Sequence, residues 1–194
     1  MGQDRTAGPS RNALVTLGSN MSSDKGSPGE QVLDAIASLG EIFEELRQSR
    51  LYTTPAFPAG SGPDFINAAV AFNTSLAAPD VLSALHEIES QFARTRDKRW
   101  GPRTIDLDLI AIDDLVCPDL EEFSHWRCLP LDQQQTSAPT ELILPHPRMQ
   151  DRSFVLVPLA DVAAEWRHPV LGLSVAEMLL DRPVEERREV RAIE

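Results

Sequence analysis

RWGPRTIDLDLIAI, residues 99–112, carries an arginine-rich turn straight into an apolar strand. Ile105, Leu107 and Leu109 alternate with Asp106 and Asp108, and a period of two predicts a strand with one face buried and both carboxylates on the other. Because residues i and i+2 of a strand point the same way, the pair can grip one hard cation or two closely spaced ones. Arg94, Arg96, Arg99 and Arg103 lie just upstream, so guanidinium groups gather beside the carboxylates in a chain that is acidic overall. A polyphosphate bound as its magnesium complex needs both: carboxylates for Mg2+, and planar forks for the remaining oxygens. The plainer account is an edge strand with aspartates in water beside a solvated basic loop. It explains the charges but not the clean apolar frame.

The pattern extends from this strand in both directions. Upstream, Pro79-Asp80 opens a predicted helix with an apolar stripe of Val81, Leu82, Leu85, Ile88 and Phe92. Before it, Phe65 to Leu76 reads as a long strand and Leu46 to Thr54 as another that closes at Pro55, with a proline- and glycine-rich loop between them. Val32, Leu33, Ile36 and Leu39 fall at helical spacing behind Ser27-Pro28, with Gly40 near the end. Ala13 to Leu17 is a short buried strand stopped by Gly18-Ser19-Asn20, which read as turn residues. Strand, helix, strand, strand, helix, strand is the split βαβ or ferredoxin-like order, an α+β fold whose antiparallel sheet carries two helices on one face.

Downstream, residues 117–140 are rich in Pro, Gln, Ser, Thr and Asp without a period and read as a long loop insertion. Apolar character returns in LILPHPRMQDRSFVLVPLADVAAEW, residues 142–166, with Phe154 to Leu159 broken by Pro158 and a short helix expected from Ala160 to Trp166. Residues 1–12 are expected as a flexible tail before a single domain spanning 13–180, and the charged C-terminal tail, 181–194, mixes charges at helical spacing and reads as a solvated terminal helix or a frayed end.

With 194 residues, 42% hydrophobic and 25% charged, the composition suits one globular domain. No apolar run reaches the roughly 18 to 20 residues of a membrane helix, and the polar start lacks the core of a secretion signal, so a cytoplasmic protein with no membrane partner is expected. Cys117 and Cys128 lack metal-ligand spacing and are expected as free thiols. A net charge of −12 disfavours nucleic acid as a partner and suits the arginine cluster to a small anionic ligand.

Four segments in order, LVTLGSN (14–20), SRLYTTPAF with DFINAAV (49–57, 64–70), IESQFARTRDKRWGPRTIDLDLI (88–110) and LPHPRMQDRSFVLVPL (144–159), resemble the 6-hydroxymethyl-7,8-dihydropterin pyrophosphokinases. The resemblance covers about residues 13–166 and implies a ferredoxin-like core within an α/β sandwich. It implies transfer of the pyrophosphoryl group of ATP to the pterin's hydroxymethyl oxygen, with release of AMP, in folate biosynthesis. Small-molecule substrates are thus implied, and two Mg2+ ions on Asp106 and Asp108. Arg94 and Arg96 match arginines of a loop that closes over the transferring group, and Arg103 a phosphate-binding arginine beside the metals. Glu89, Arg96, Trp100, Arg103, Leu109, His146 and Arg152 match nucleotide contacts. For the pterin, the resemblance implies backbone and apolar contacts from Thr54, Pro55 and Phe57, and an amide contact from Asn67. It also implies stacking by Phe65 and Phe154, a lid from Trp100, and a contact of Asp106 with the hydroxymethyl group.

Two rivals are weighed against this. A non-catalytic ferredoxin-like binding module would be expected to lose a metal aspartate or a phosphate arginine, yet all are present; an RNA-reading sheet would need a basic, aromatic surface. A kinase of the P-loop type would need G-x-x-x-x-G-K-[ST], which the sequence lacks.

Overall fold

The computed structural model describes residues 9–56, 62–92, 104–130, 133 and 137–194. The first apolar run becomes β1 (Arg11–Ser19), which pairs with β4 (Phe65–Thr74) on one side and β5 (Asp106–Ile112) on the other. β2 (Glu44–Gln48) and β3 (Tyr52–Thr54) follow one another along the far edge of β4, so the sheet has the antiparallel order expected of a ferredoxin-like βαββαβ unit. The single strand expected at Leu46–Thr54 is divided because Ser49 pairs partly through its side chain. Its N–H donates to Ala69 O at 2.9 Å, while its Oγ accepts from Ala69 N at 2.9 Å. A hydroxyl standing in for a carbonyl lets the chain leave the regular ladder without orphaning a buried amide.

α1 (Pro28–Ile42) and α2 (Ala78–Phe92) cover one face. Ser27 caps α1 reciprocally: Ser27 N donates to Glu30 Oε2 at 2.8 Å and Glu30 N to Ser27 Oγ at 3.4 Å. Val32, Ala35, Ile36 and Leu39 of α1 and Val81, Leu85, Ile88 and Phe92 of α2 pack on Val15, Leu17, Val70, Phe72, Leu107 and Leu109. Leu33, expected in the buried stripe, is 44% exposed. The buried position is taken instead by Gln31, whose Nε2 donates to Met21 O and Gly26 O and ties down the preceding loop.

A second helical layer closes the opposite face. α4 (Ser153–Ala163) and α5 (Val175–Leu180) pack on Leu14, Ala69, Ala71 and Ile110, which makes β1 buried on both faces and explains its unbroken apolar run. The helix expected to start at Ala160 starts at Ser153 and runs through Pro158. Proline inside a helix costs about 3 kcal/mol. Burial of Val155, Leu156, Leu159 and Val162, at about 1.5–3 kcal/mol each, outweighs it.

The segment read as a long loop contains a helix, and the charged end takes the helical one of its two expected forms. α3 (Leu120–Cys128) lies within the stretch 117–140, capped by Asp119, whose Oδ1 accepts from Glu122 N at 2.9 Å. Phe123 is its buried residue, and a helix held by one side chain leaves no apolar period in the sequence. In the charged end, α6 (Val184–Glu189) leads into β6 (Arg191–Ala192), which adds to the sheet beside β3. Both cysteines are free. Among the described residues, no helix is long and apolar enough to cross a membrane.

Phe72 is fully buried and stacks on Phe43 with centroids 4.0 Å apart and planes at 14°. Phe72→Ala is expected to destabilise the fold by about 3–5 kcal/mol, read as a lower urea midpoint at unchanged slope. A shift below about 1 kcal/mol would show that this layer is not the core.

Candidate active site

Strand register assembles the site. Asp106 pairs with Gly18, Gly18 with Asn67, and Asn67 with Tyr52, so these positions form one row across four strands. The next row runs Asp108, Thr16, Ala69. Directly opposed residues of antiparallel strands share a face. Asp106 and Asp108 therefore lie side by side on the face that carries α4, while Leu107 and Leu109 are in the core below. The second helical layer covers Leu14, Ala69, Ala71 and Ile110, and the polar rows continue that face beyond it.

Asn67 is 7% exposed, and its Nδ2 donates to Thr54 Oγ1 at 2.7 Å. Gly18, read from sequence as a turn residue, lies within β1, which continues to Ser19. A Cβ added there would stand 3.0 Å from Asn67 Oδ1 and 4.0 Å from the Phe65 ring. A side chain there would push the amide away, and glycine leaves it room. Ser19 Oγ donates to Thr104 O and holds the entrance of β5 against the end of β1. Thr54, Phe65 and Asn67 share one face and one end of the sheet; Pro55 is exposed just past Thr54. Phe154 is 42% exposed, with the Arg152 guanidinium 5.8 Å over its ring.

Beside the aspartates runs a groove of about 520 Å³ whose walls include Glu89, Asp106, Asp108, His146 and Arg152. β5 is the edge strand, and the outward N–H of Leu107 donates to Glu89 Oε1 at 2.8 Å. Glu89 thereby saturates the strand edge between the two aspartates. The Leu109 side chain is in the core, 4% exposed, so of Leu109 it is the backbone that borders the groove. His146 N donates to Ile110 O at 2.7 Å, and its Nδ1 accepts from Arg148 N at 3.1 Å. The neutral ring then carries its proton on Nε2. Burial, reinforced by Arg152 and Arg148, lowers its pKa to about 3, so it is a neutral donor. Burial also lowers Arg152 below its usual value, opposed first by the Asp108 charge.

Arg94, Arg96, Arg99, Trp100, Arg103 and Phe57 lie outside the described residues. Sequence reasoning passed over Arg148 and Trp126, which border the groove, and the part Gly18 plays beneath Asn67. The glycine directly after an apolar strand was the signal available for that part.

A ferredoxin-like sheet that sets two carboxylates beside a half-buried arginine and a neutral histidine has the charge pattern of a site for a metal-bound phosphate chain. The family model of 7,8-dihydro-6-hydroxymethylpterin-pyrophosphokinase matches residues 14–164. The chain is 37% identical over 169 residues to the 2-amino-4-hydroxy-6-hydroxymethyldihydropteridine pyrophosphokinase of Synechocystis, covering 86% of this chain and 74% of that one. With the enzyme of the same name from Pseudomonas aeruginosa it shares 36% over 177 residues, covering 88% and 91%. The crystal structure of Plasmodium falciparum HPPK-DHPS superposes with a TM-score of 0.60 at 16% identity over 88% of this chain. This chain spans 44% of that one, and the likeness speaks to the fold alone. The protein belongs to the 7,8-dihydro-6-hydroxymethylpterin-pyrophosphokinase family.

A second histidine, His168, is fully buried, and burial followed by the Arg127 charge lowers its pKa to about 4. In the unfolded chain both histidines take up protons near pH 6.5, whereas folded His146 and His168 resist until about 3 and 4. The unfolded state then binds more protons as pH falls below 6.5, so stability present above that pH is lost progressively in acid. Urea midpoints are expected to fall from pH 7 to pH 5, above the range of the carboxylates, with a shallower fall in His168→Gln. A flat profile over that interval would contradict the neutral assignment of both rings.

Proposed function

We infer that the groove beside β5 and the polar rows of the sheet are where this pyrophosphokinase moves the pyrophosphoryl group of ATP to hydroxymethyldihydropterin in folate biosynthesis. The observation that carries the assignment is the register row that sets Asn67 and Asp106 on one face, two strands apart, with Asp108 adjoining the groove. The pterin lies over Thr54, Phe65 and Asn67, with the amide reading its polar edge and its hydroxymethyl oxygen directed to Asp106. ATP lies along the groove, its phosphates between the aspartates and Arg152. The hydroxymethyl oxygen attacks the β-phosphorus and releases its proton to solvent, the bond from that phosphorus to the α-phosphate oxygen breaks, and AMP leaves with the bond's electron pair.

Two hard carboxylates, with no cluster of three or more ligating side chains among the described residues, suit Mg2+, which takes one or two protein carboxylates and completes its shell with phosphate and water. Asp106 and Asp108 would hold Mg2+, which would supply charge to offset that of the phosphates. Arg152 supplies charge at the phosphates, and His146 donates from Nε2 throughout the working pH range because its proton stays in place. Glu89, fixed by Leu107 N–H, sets the wall against which the nucleotide lies. By the resemblance, Arg94, Arg96, Arg103 and Trp100 close over the bound pair and exclude water, and Phe57 and Phe154 add to the pterin's apolar enclosure.

Purified protein with Mg2+, ATP and 6-hydroxymethyl-7,8-dihydropterin is expected to yield AMP, and only when metal and pterin are both present. ADP as product would replace pyrophosphoryl with phosphoryl transfer. Asp108→Ala should abolish turnover while leaving the thermal midpoint nearly unchanged, since removal of a ligand at the sheet's open face costs catalysis more than packing. In Gly18→Ala the displaced Asn67 amide loses about one hydrogen bond's worth of binding, which raises KM for the pterin about fivefold with a smaller effect on kcat. A change confined to KM for ATP would remove Asn67 from the pterin site.

A further inference from the structure

The segment between β5 and His146 has no part in the scheme above, yet it borders the groove. α3 is anchored by fully buried Phe123, whose ring centroid lies 5.4 Å from that of His168. His168 stands 5.8 Å from Trp166, and Trp166 Nε1 donates at 2.9 Å to Asp113 O, one residue past β5. α3 is therefore fixed at the C-terminal end of β5, the opposite end from Asp106 and Asp108. Three residues on from Phe123, Trp126 is half-buried and lines the groove. The His125 ring meets it edge-on at 5.7 Å and 84°.

The groove has a direction. Glu89, bonded to Leu107 N–H, marks its carboxylate end. His86 and Leu82 follow Glu89 at helical spacing along α2, which puts Leu82 roughly 10 Å further along. Asp106, Asp108, His146 and Arg152 gather at the first end; Leu82, Leu142, Ile143 and Trp126 give the rest of the wall an apolar and aromatic character, with Glu141 alongside. A nucleotide with its phosphates at the charged end extends its planar base toward the other.

We propose that Trp126 contacts the planar base of the bound nucleotide, so that α3 forms a base-binding wall of the site. The proposal rests on the groove being the nucleotide site. A flat indole offers a base a large apolar surface at little conformational cost, and the edge-on His125 and the buried Phe123 hold it in position.

The test compares two ligands by calorimetry on the full chain with Mg2+: α,β-methylene-ATP, and inorganic tripolyphosphate, which has the charge but no base. Trp126→Ala is expected to weaken the nucleotide about tenfold and leave tripolyphosphate unchanged. Trp126→Phe, which keeps a flat ring, should stay near wild type, while Trp126→Leu, which keeps apolar bulk without one, should follow the alanine variant and serves in its place if alanine unfolds the helix. Unchanged nucleotide affinity in these variants, or equal loss of both ligands, would overturn the base contact while leaving the groove as the nucleotide site. Wild-type protein that binds neither ligand would overturn the nucleotide reading and the contact with it.

Discussion

The register of β1 between β4 and β5 is the constraint on which the site depends. Side chains alternate faces along a strand, so a slip of one residue would carry Asp106 and Asp108 into the layer beneath α1 and α2 and turn Leu107 and Leu109 outward. Two buried carboxylates without compensation cost far more than any loop contact could recover. The apolar frame of β5 thus fixes where the carboxylates point. β1, buried on both faces, fixes how far along they stand relative to Asn67. The same packing that stabilises the sheet therefore sets the separation between Asn67 and the aspartate pair, and no separate device is needed for it.

Much of this was legible in the chain. Period-two alternation in 105–112, the amphipathic stripes of α1 and α2, and the Ser27-Pro28 start all report local physics, and these elements appear where local physics puts them. The misreadings share a cause. Pro158 lies inside α4 because tertiary burial outweighs a local penalty. α3 has one buried anchor and hence no period, and β6 is two residues whose only argument for being a strand is the edge of β3. Gly18 looked like a turn because its neighbours are turn formers; what it accommodates is an amide on another strand. Each case depends on a contact distant in sequence, which composition and spacing cannot carry. The paired aspartates, Asn67, His146 and Arg152 were legible as a set through the resemblance, whereas the row that joins Asn67 to Asp106 emerges only from the pairing.

Charge is distributed with the same economy. The chain carries −12 overall, yet the groove holds Arg148 and Arg152 against the aspartates, with His146 kept neutral between them. A protonated histidine there would add a further positive charge beside two arginines in a partly desolvated space. The fold avoids it by giving Nδ1 the Arg148 N–H and leaving a single donor on Nε2. The groove thus presents fixed donors whose state does not vary over the physiological pH range, a property that suits a preorganised anion site.

The two halves of the site are joined at their far side by Tyr52. It belongs to the row of Asn67, Gly18 and Asp106, and its hydroxyl donates to Asp161 Oδ2 at 2.7 Å. Asp161 also receives Arg50 Nη2 at 2.8 Å, but Arg50 is 65% exposed, and an ion pair so open to water contributes little by itself. The buried Tyr52 ring gives the hydroxyl its fixed position, and burial first, then Asp161, raises its pKa to about 12, so it remains a donor at any working pH. Asp161 is on α4, roughly 13 Å of helix from Arg152 at its start. A rigid helix pinned to the row of Asn67 at one end delivers its arginine to the groove beside the aspartates at the other. The separation between the Asn67 row and Arg152 is thereby set by a helix and a sheet, the stiffest parts available.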